Sequence, residues 1–425
     1  MKMDVKENTQ IVITNNRADM AFDIKASHML YNLLIITLMA TFLLSRAVVA
    51  NAMSVLFEIT LDASIYQSIQ ITSFSIVSFL YIKRGKISKI ILLFSGFVAA
   101  LLISTIITGY DLYAATITLG GMLGACILLD MEMNRNPVNA IKCLITLFAI
   151  LVYINFFVAT PLFTDINHIG DVSWFLGHRN TVGNNLVPLL CFLVIYSYHK
   201  DNSPLISIFI YLTLAVALYT VIAGWSATSI VGISLAFIYI VILYRLKLPR
   251  ILNIRNYVIV TALFFFVFII FNFQFIFRGF IETVLQRDLT FTNRTILWER
   301  AFESIAQNPL VGVGLGYHAL HDIFHWQLYD SHNFILELLV TGGLLGFATF
   351  SAIFIAVYRK LDRSREHKIS DVVSFFFFIY LIMAMVETTF YQTPFYLMLI
   401  LSYNVNKIIF QHEQINAPEY RKSLH

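Results

Sequence analysis

The stretch "NFILELLVTGGLLGFATFSAIFIAVYRK", residues 333–360, decides the class of fold. Between Asn333 and Tyr358 it holds a single charged residue, Glu337, and the basic pair Arg359 and Lys360 follows. An apolar run of this length crosses the roughly 30 Å hydrocarbon core of a bilayer as an α-helix. Because basic residues near span ends stay in the cytoplasm, the Asn333 end of this helix is predicted to face the exterior.

The same pattern of apolar runs recurs along the whole chain. Of its 425 residues, 58% are hydrophobic and only 13% charged, and the mean hydropathy is +0.76, which excludes an ordinary soluble protein. We predict an all-α integral membrane protein with about twelve transmembrane helices. The predicted spans cover residues 29–49, 65–82, 88–108, 112–130, 138–160, 182–198, 204–223, 227–244, 256–277, 333–358, 371–388 and 392–410.

The basic residues give this helix array an orientation. Clusters of Lys and Arg occur before the first span and after every second span, so both termini are predicted to be cytoplasmic. No cleavable signal pattern precedes the first span, which is therefore expected to be retained. The predicted parts of the chain are a cytoplasmic segment 1–28, spans one to nine in 29–277, a large exterior loop 278–332, spans ten to twelve in 333–410, and a cytoplasmic tail 411–425.

The basic residues that this orientation leaves outside are all arginines. Orientation does not distinguish Arg from Lys, whereas binding of phosphate does, because a guanidinium donates to two phosphate oxygens at once. A chance excess of arginine is the alternative explanation. The exterior arginines are Arg46, Arg179, Arg278, Arg287, Arg294 and Arg300.

The first half of the exterior loop predicts an amphipathic helix. In "TNRTILWERAFESIAQNP", residues 292–309, Leu297, Ala301 and Ile305 share one stripe at i, i+4 spacing. The following "GVGLG", residues 312–316, superficially resembles a nucleotide-binding glycine motif. It neither follows a strand nor opens a βαβ unit, so we interpret it as a tight turn that returns the chain toward the membrane.

The histidines at the end of the loop divide into two groups. His318, His321 and His325 would lie along one helical face and could bind zinc, but no suitable Cys or HExxH motif accompanies them, so an interfacial helix without metal is favoured. His332 instead stands at the mouth of the tenth span, with Glu337 one turn inside. A histidine there can act as a general base or orient an anion; an interfacial capping residue is the alternative.

Three segments of the chain carry a resemblance to a known family. "NRTILWERAFESIAQNPLVGVGLG" has an Arg, a Trp and a Pro-x-x-G-x-G pattern, "DSHNFILELLVTGG" opens a span with His-Asn, and "GHRNTVGNNLVP" precedes a middle span. Together with the predicted topology they resemble the O-antigen ligase and Wzy-type polysaccharide polymerase superfamily.

The resemblance implies an enzyme that transfers glycans at the outer face of a bacterial cytoplasmic membrane. Its donor would be an oligosaccharide joined through a diphosphate to a polyprenyl lipid, with no cofactor and no metal. Membrane lipid is a further expected partner, and a flippase and a chain-length regulator are compatible with the same function.

The resemblance also implies roles for particular residues. Arg294 matches the arginine that grips the diphosphate, and His332 matches the histidine that activates the acceptor hydroxyl or holds the donor. Arg179, in the matching segment with Asn180, would be a second phosphate contact. Further expected donor-binding residues are Arg278, Arg287 and Arg300, and the expected supporting residues are Trp298, Asn333 and Glu337. The chain departs from many relatives at "GWSATS", residues 224–229, where they carry a Ser-Arg pair.

Three activities stay open at this point. A polymerase would join lipid-linked repeat units and a ligase would move the finished glycan to lipid A core; the form of "GHRNTVGNNLVP" and the missing Ser-Arg pair favour the polymerase. A flippase or other transporter is disfavoured because ionisable residues are almost absent from the predicted spans. Nucleic-acid binding is disfavoured because membrane orientation explains the net charge of +4.

Overall fold

The computed structural model describes eight separate ranges of the chain. It describes residues 27–44, 62–159, 175–199, 203–243, 253–271, 294–316, 330–387 and 389–416. In these ranges the helices are α1 (Ser27–Leu43), α2 (Ala63–Lys83), α3 (Lys89–Thr108), α4 (Leu112–Arg135), α5 (Pro137–Ala159), α6 (Gly183–His199), α7 (Pro204–Ala223), α8 (Ala227–Ile238), α9 (Ile254–Phe264), α10 (Arg294–Gln307), α11 (Phe334–Arg363), α12 (Lys368–Ala384), α13 (Thr393–Tyr403) and α14 (Val405–Asn416).

Seven helices in the described ranges, α2 to α7 and α11, are long and apolar enough to cross a membrane. The helices α1, α8, α9 and α13 are apolar but shorter. The predicted class, an all-helical membrane protein, is confirmed, whereas the number of twelve spans and their orientation stay predictions. The twelfth predicted span is divided at Asn404, whose side-chain amide donates to the carbonyl of Ile400 at 3.0 Å and to the buried carboxylate of Asp130 at 3.2 Å.

The core of the bundle lies around α6. Nearly all of its side chains are buried, and it packs against α5, α7, α8 and α12. Large apolar side chains on the outer helices are instead exposed, among them Phe79 on α2 and Leu205 on α7. Exposed apolar residues around a buried centre are what a helix bundle presents to lipid.

The helix α11 is broken at Gly343, which has φ 57° and ψ −157°. The break removes two helical hydrogen bonds, and the segment that contains "GVGLG" replaces their partners, because backbone groups away from water need partners within the protein. Four bonds join the two segments: Val313 N–H to Val340 O (2.8 Å), Gly314 N–H to Thr341 O (3.0 Å), Leu344 N–H to Pro309 O (2.9 Å) and Leu345 N–H to Leu310 O (3.0 Å).

This inserted segment is more than the tight turn predicted from its glycines. Gly312 lies so close to the break that a Cβ there would sit 2.5 Å from the carbonyl oxygen of Val340. Helix α3 closes the other side, where Thr105 Oγ1 accepts from the amide of Leu315 at 3.0 Å. The glycines are thus needed for a close approach of backbones within the bundle.

Candidate active site

The helix α10 brings Arg294 to the predicted exterior end of α11. Its buried face includes Leu297, Trp298 and Ala301, so the predicted amphipathic helix is confirmed. The indole N–H of Trp298 donates to the carbonyl of Ser331 at 3.1 Å. The buried ring and this bond anchor α10 beside the residues that precede α11, and Arg294 is the first residue of the anchored helix.

A network of hydrogen bonds shapes the turn before α11. The buried carboxylate of Glu337 accepts from the amide and the hydroxyl of Ser331 at 2.9 and 3.1 Å, and from the hydroxyl of Tyr391 at 2.7 Å. Asn333 caps α11, and its amide nitrogen donates to the carbonyl of Met385 at 2.8 Å. Glu337 and Asn333 therefore fix the turn and join it to the end of α12.

His332 lies in this turn with a left-handed backbone, φ 47°. Its own amide donates to the Asp330 carboxylate at 2.9 Å, which stabilises the turn. A non-glycine residue in this conformation costs roughly 1–3 kcal/mol, and such residues persist where the surrounding structure holds them, often at functional sites. The turn thus places the imidazole at the cost of backbone strain.

Glu387 joins the two residues that the sequence singled out. Its Oε2 lies 3.0 Å from Arg294 Nη2, and its Oε1 lies 3.3 Å from His332 Nδ1. The Glu387 side chain is only 2% exposed, so these contacts occur where water screens charge weakly. Arg294 and His332, which are distant in sequence from Glu387, thereby form one buried ion cluster with it.

The cluster changes the acidity of His332. Burial acts to lower the pKa of the imidazole, but the hydrogen bond to Glu387 and the negative charges of Asp330 and Glu387 outweigh it, so the pKa is raised. Because Nδ1 faces the Glu387 carboxylate, the neutral ring carries its proton on Nδ1 and can accept another at Nε2. This is the arrangement of a general base.

The segment "GHRNTVGNNLVP" lies beside the cluster. Burial lowers the pKa of His178, and the charges of Glu387, Arg179, His332 and Arg294 all act on its imidazole. Arg179 begins a short 3₁₀ turn directly after it. The segment thus places a second arginine near the imidazole of His178, and its role in donor binding stays a prediction.

Asn180 connects this segment to α8. Its carbonyl accepts from the hydroxyl of Ser229 at 3.3 Å, and Ser229 lies in the first turn of α8, which Ser226 caps. Where many relatives carry an arginine, this chain has serines. The hydroxyl of Ser229 donates to a backbone carbonyl and the hydroxyl of Ser226 accepts from a backbone amide. Asn180 contacts this turn through its main chain.

Other predicted residues lie apart from the cluster or outside the described ranges. Arg300 makes an ion pair with Glu303 at 2.7 Å on the exposed face of α10. Among the described residues no group of three His, Cys, Asp or Glu side chains could hold a metal ion. The predicted residues outside the described ranges are Arg46, Arg278, Arg287, His318, His321 and His325.

Fold and site together define a helical membrane protein that carries an arginine, a histidine and a carboxylate in one buried cluster at a loop–helix junction. Residues 212–351, about a third of the chain, match the family model described as O-antigen ligase. The matched residues include Arg294 and His332, and the match confirms the predicted resemblance of this part of the chain to the O-antigen ligase and Wzy-type superfamily. A search of the curated proteins found no match.

Proposed function

We propose that the protein is a polysaccharide polymerase that joins oligosaccharide repeat units carried on a polyprenyl diphosphate. The reaction would take place at the outer face of a bacterial cytoplasmic membrane, in the synthesis of an O-antigen, capsule or exopolysaccharide. The observation that carries the proposal is the buried cluster in which the two carboxylate oxygens of Glu387 contact Arg294 and His332. The family match, which includes both basic residues, supports glycan transfer, the activity that polymerase and ligase share.

Arg294 suits the leaving group of this reaction. Its Nη2 donates to Glu387, and a guanidinium has five N–H groups, so others can donate to diphosphate oxygens. Negative charge develops on the diphosphate as its bond to the sugar breaks, and a fixed cation in a poorly screened site stabilises that charge. Arg179 is the second cation proposed for this role.

His332 suits the acceptor. Nε2 takes the proton of the acceptor hydroxyl, the hydroxyl oxygen bonds to the anomeric carbon, and the bond from that carbon to the phosphate oxygen breaks. The lipid diphosphate leaves with the bonding electron pair. A single displacement of this kind inverts the anomeric centre.

A deletion strain distinguishes the polymerase from its alternatives. Loss of a polymerase leaves single repeat units on the final acceptor, seen as loss of the glycan ladder on a gel. Loss of a ligase, which the description of the matched family favours, leaves long chains on the lipid carrier. Loss of a flippase leaves repeat units on the cytoplasmic face. An unchanged ladder contradicts all three.

Variants then test the cluster in the complemented strain. His332→Ala should reduce chain extension by about 10²–10⁴-fold, the usual worth of a general base, and Arg294→Ala by about 10²–10³-fold, the worth of one oxyanion donor. Arg294→Lys should resemble Arg294→Ala, because an ammonium cannot bridge Glu387 and a diphosphate with planar geometry.

The control is Arg255→Ala, which removes an exposed arginine paired with Asp362 at 3.8 Å outside the cluster. It should retain the wild-type ladder. All variants are compared at equal abundance in the membrane. Wild-type ladders from His332→Ala and Arg294→Ala would refute the assignment.

A further inference from the structure

A cavity of about 460 Å³ opens beside the cluster and plays no part in the chemistry proposed above. Its walls come mainly from the end of α1, the first halves of α2 and α4, the 176–181 segment and the residues around the start of α13. His178 and Tyr391 line it, and both also belong to the surroundings of the Arg294–His332–Glu387 cluster. The size lies within the range of roughly 300–1,000 Å³ that is typical of small-molecule sites.

The lining combines apolar side chains with uncharged polar ones and carries no fixed charge among the described residues. These residues include the amides Gln67, Gln70, Asn185 and Gln392 and the hydroxyl of Thr118, but no Asp, Glu, Lys or Arg. Amides and hydroxyls both donate and accept hydrogen bonds, as sugar hydroxyls do. The charged groups that would bind a diphosphate lie next to the cavity rather than in its described wall.

Two glutamines of α2 are oriented by their neighbours. Both amide hydrogens of Gln70 are engaged, by the carbonyl of Thr41 at 3.1 Å and the hydroxyl oxygen of Tyr66 at 3.0 Å, so its Oε1 is the part that can accept. Gln67 Oε1 accepts from Tyr113 at 3.0 Å, so its nitrogen is the part that donates. At i, i+3 spacing the two side chains share one helix face and offer an acceptor and a donor together.

Tyr391 adds an accessible aromatic ring. The residue is 38% exposed although its hydroxyl is tied to the buried carboxylate of Glu337. A ring fixed at one end presents its electron-rich face in a defined position, and that face attracts the C–H groups of the apolar side of a pyranose. Amide pairs and a fixed ring suit a sugar better than they suit a lipid tail or an anion.

We infer that this cavity binds an uncharged sugar residue of the glycan, next to the Arg294–His332–Glu387 cluster. The inference rests on the proposed function, and it names the substrate class at one subsite: a sugar bearing hydroxyl or acetamido groups and no carboxylate. The sugar ring lies in the cavity while the reacting bond lies at the cluster.

Saturation-transfer NMR on the full chain in lipid nanodiscs tests the inference with methyl glucoside, methyl galactoside, N-acetylglucosamine and glucuronate as probes. Ala114→Trp fills the cavity from an exposed lining position of α4. Thr116→Trp, also exposed on α4 but outside the cavity lining, is the matched control. At least one neutral sugar should receive saturation from wild type and Thr116→Trp, with a dissociation constant at least about tenfold higher in Ala114→Trp from a titration of the signal, equivalent to about 1.4 kcal/mol of binding.

Three results would overturn the inference: no transfer to any neutral probe, equal transfer in the two tryptophan variants, or stronger transfer to glucuronate than to the neutral sugars. Displacement of the signal by an alkyl detergent would assign the cavity to a lipid tail instead. In cells, Ala114→Trp should shorten the glycan ladder and Thr116→Trp should not. If His332→Ala abolishes the ladder while the two tryptophan variants behave alike, the cavity assignment fails and the proposed function stands.

Discussion

One carboxylate oxygen of Glu387 accepts from Arg294 and the other contacts His332 Nδ1. A single carboxylate therefore sets the position of the guanidinium and the tautomer of the imidazole. Removing one member of a buried ion cluster leaves the others uncompensated, which is strongly destabilising. The conservative change from Glu387 to Gln, which keeps shape and an acceptor oxygen, is therefore the informative one.

Glu387→Gln should change the pH dependence of chain extension. The Glu387 carboxylate is among the causes that raise the pKa of His332, so its loss lowers that pKa. A general base works in its neutral form, and activity rises as pH passes upward through its pKa. The acid limb of the rate profile should therefore move to lower pH, measured with purified enzyme and lipid-linked donor.

The same variant should also lower the maximal rate, because a neutral amide holds the imidazole and the guanidinium less firmly than a carboxylate does. Glu303→Gln, an exposed carboxylate on α10, is the control and should keep both rate and profile. An acid limb that stays in place, or moves to higher pH, in Glu387→Gln would show that Glu387 does not set the acidity of the base.

The sequence motifs predict Arg294 and His332 at this site, whereas Glu387 is not among the predicted site residues. The two basic residues stand in recognisable local motifs of one loop, whereas Glu387 follows α12 and reaches them only through the fold. One signal was present: a carboxylate at the predicted exterior end of an apolar span. Such a group needs a partner, and exterior arginines were the available cations.

Among the helices, the broken helix α11 restricts the sequence most, because its break requires glycine at two positions. Gly343 has a backbone conformation accessible essentially only to glycine, and a Cβ there would lie 2.5 Å from the amide nitrogen of Gly312. These contacts are with backbone, so no side-chain rotation can relieve them. Both glycines are needed to bring the 309–314 segment into the break.

Gly343→Ala and Gly312→Ala should each destabilise the protein. The backbone conformation of Gly343 alone accounts for about 1–3 kcal/mol, and the overlaps at both positions add to the loss. The measurements are the amount of monodisperse protein after detergent extraction and its melting temperature. We expect both to fall in each variant.

Gly346→Ala is the control from the same helix. A Cβ at Gly346 would meet its nearest neighbour, Leu101 Cδ2, at 3.5 Å, and the residue does not have a positive φ. Alanine in a helix interior is favoured over glycine by roughly 0.5–1 kcal/mol, so this variant should match or exceed wild type in stability. Equal stability of Gly343→Ala and Gly346→Ala would contradict the role given to the break.

The helices themselves could be predicted because each rests on a local apolar run, and the breaks could not. Asp111 and Ser226 cap α4 and α8 in two of the short gaps between predicted spans, 109–111 and 224–226. The interruptions at Gly343 and Asn404 instead depend on partners far along the chain, the 309–314 segment and Asp130. A helical period carries no information about such partners.

For the whole molecule, the orientation predicted from basic residues can be tested with reporter fusions. Alkaline phosphatase, which is active only outside the cytoplasm, should be active when fused after Gly316 and inactive when fused after Arg365. Green fluorescent protein fused after His425 should fluoresce, because that end is predicted to be cytoplasmic. Active phosphatase after Arg365 would reverse the orientation and with it the location of the proposed site.

The backbone hydrogen bonds between the 309–314 segment and α11 limit how parts of related proteins can be recombined. Residues 309–314 and 340–345 complete each other's backbone hydrogen bonds, so they have to be inherited together although residues 315–339 lie between them. A chimaera joined within that stretch would combine two halves shaped for different partners. Transplanting donor preference between relatives therefore requires crossovers placed before α10 and after the break in α11.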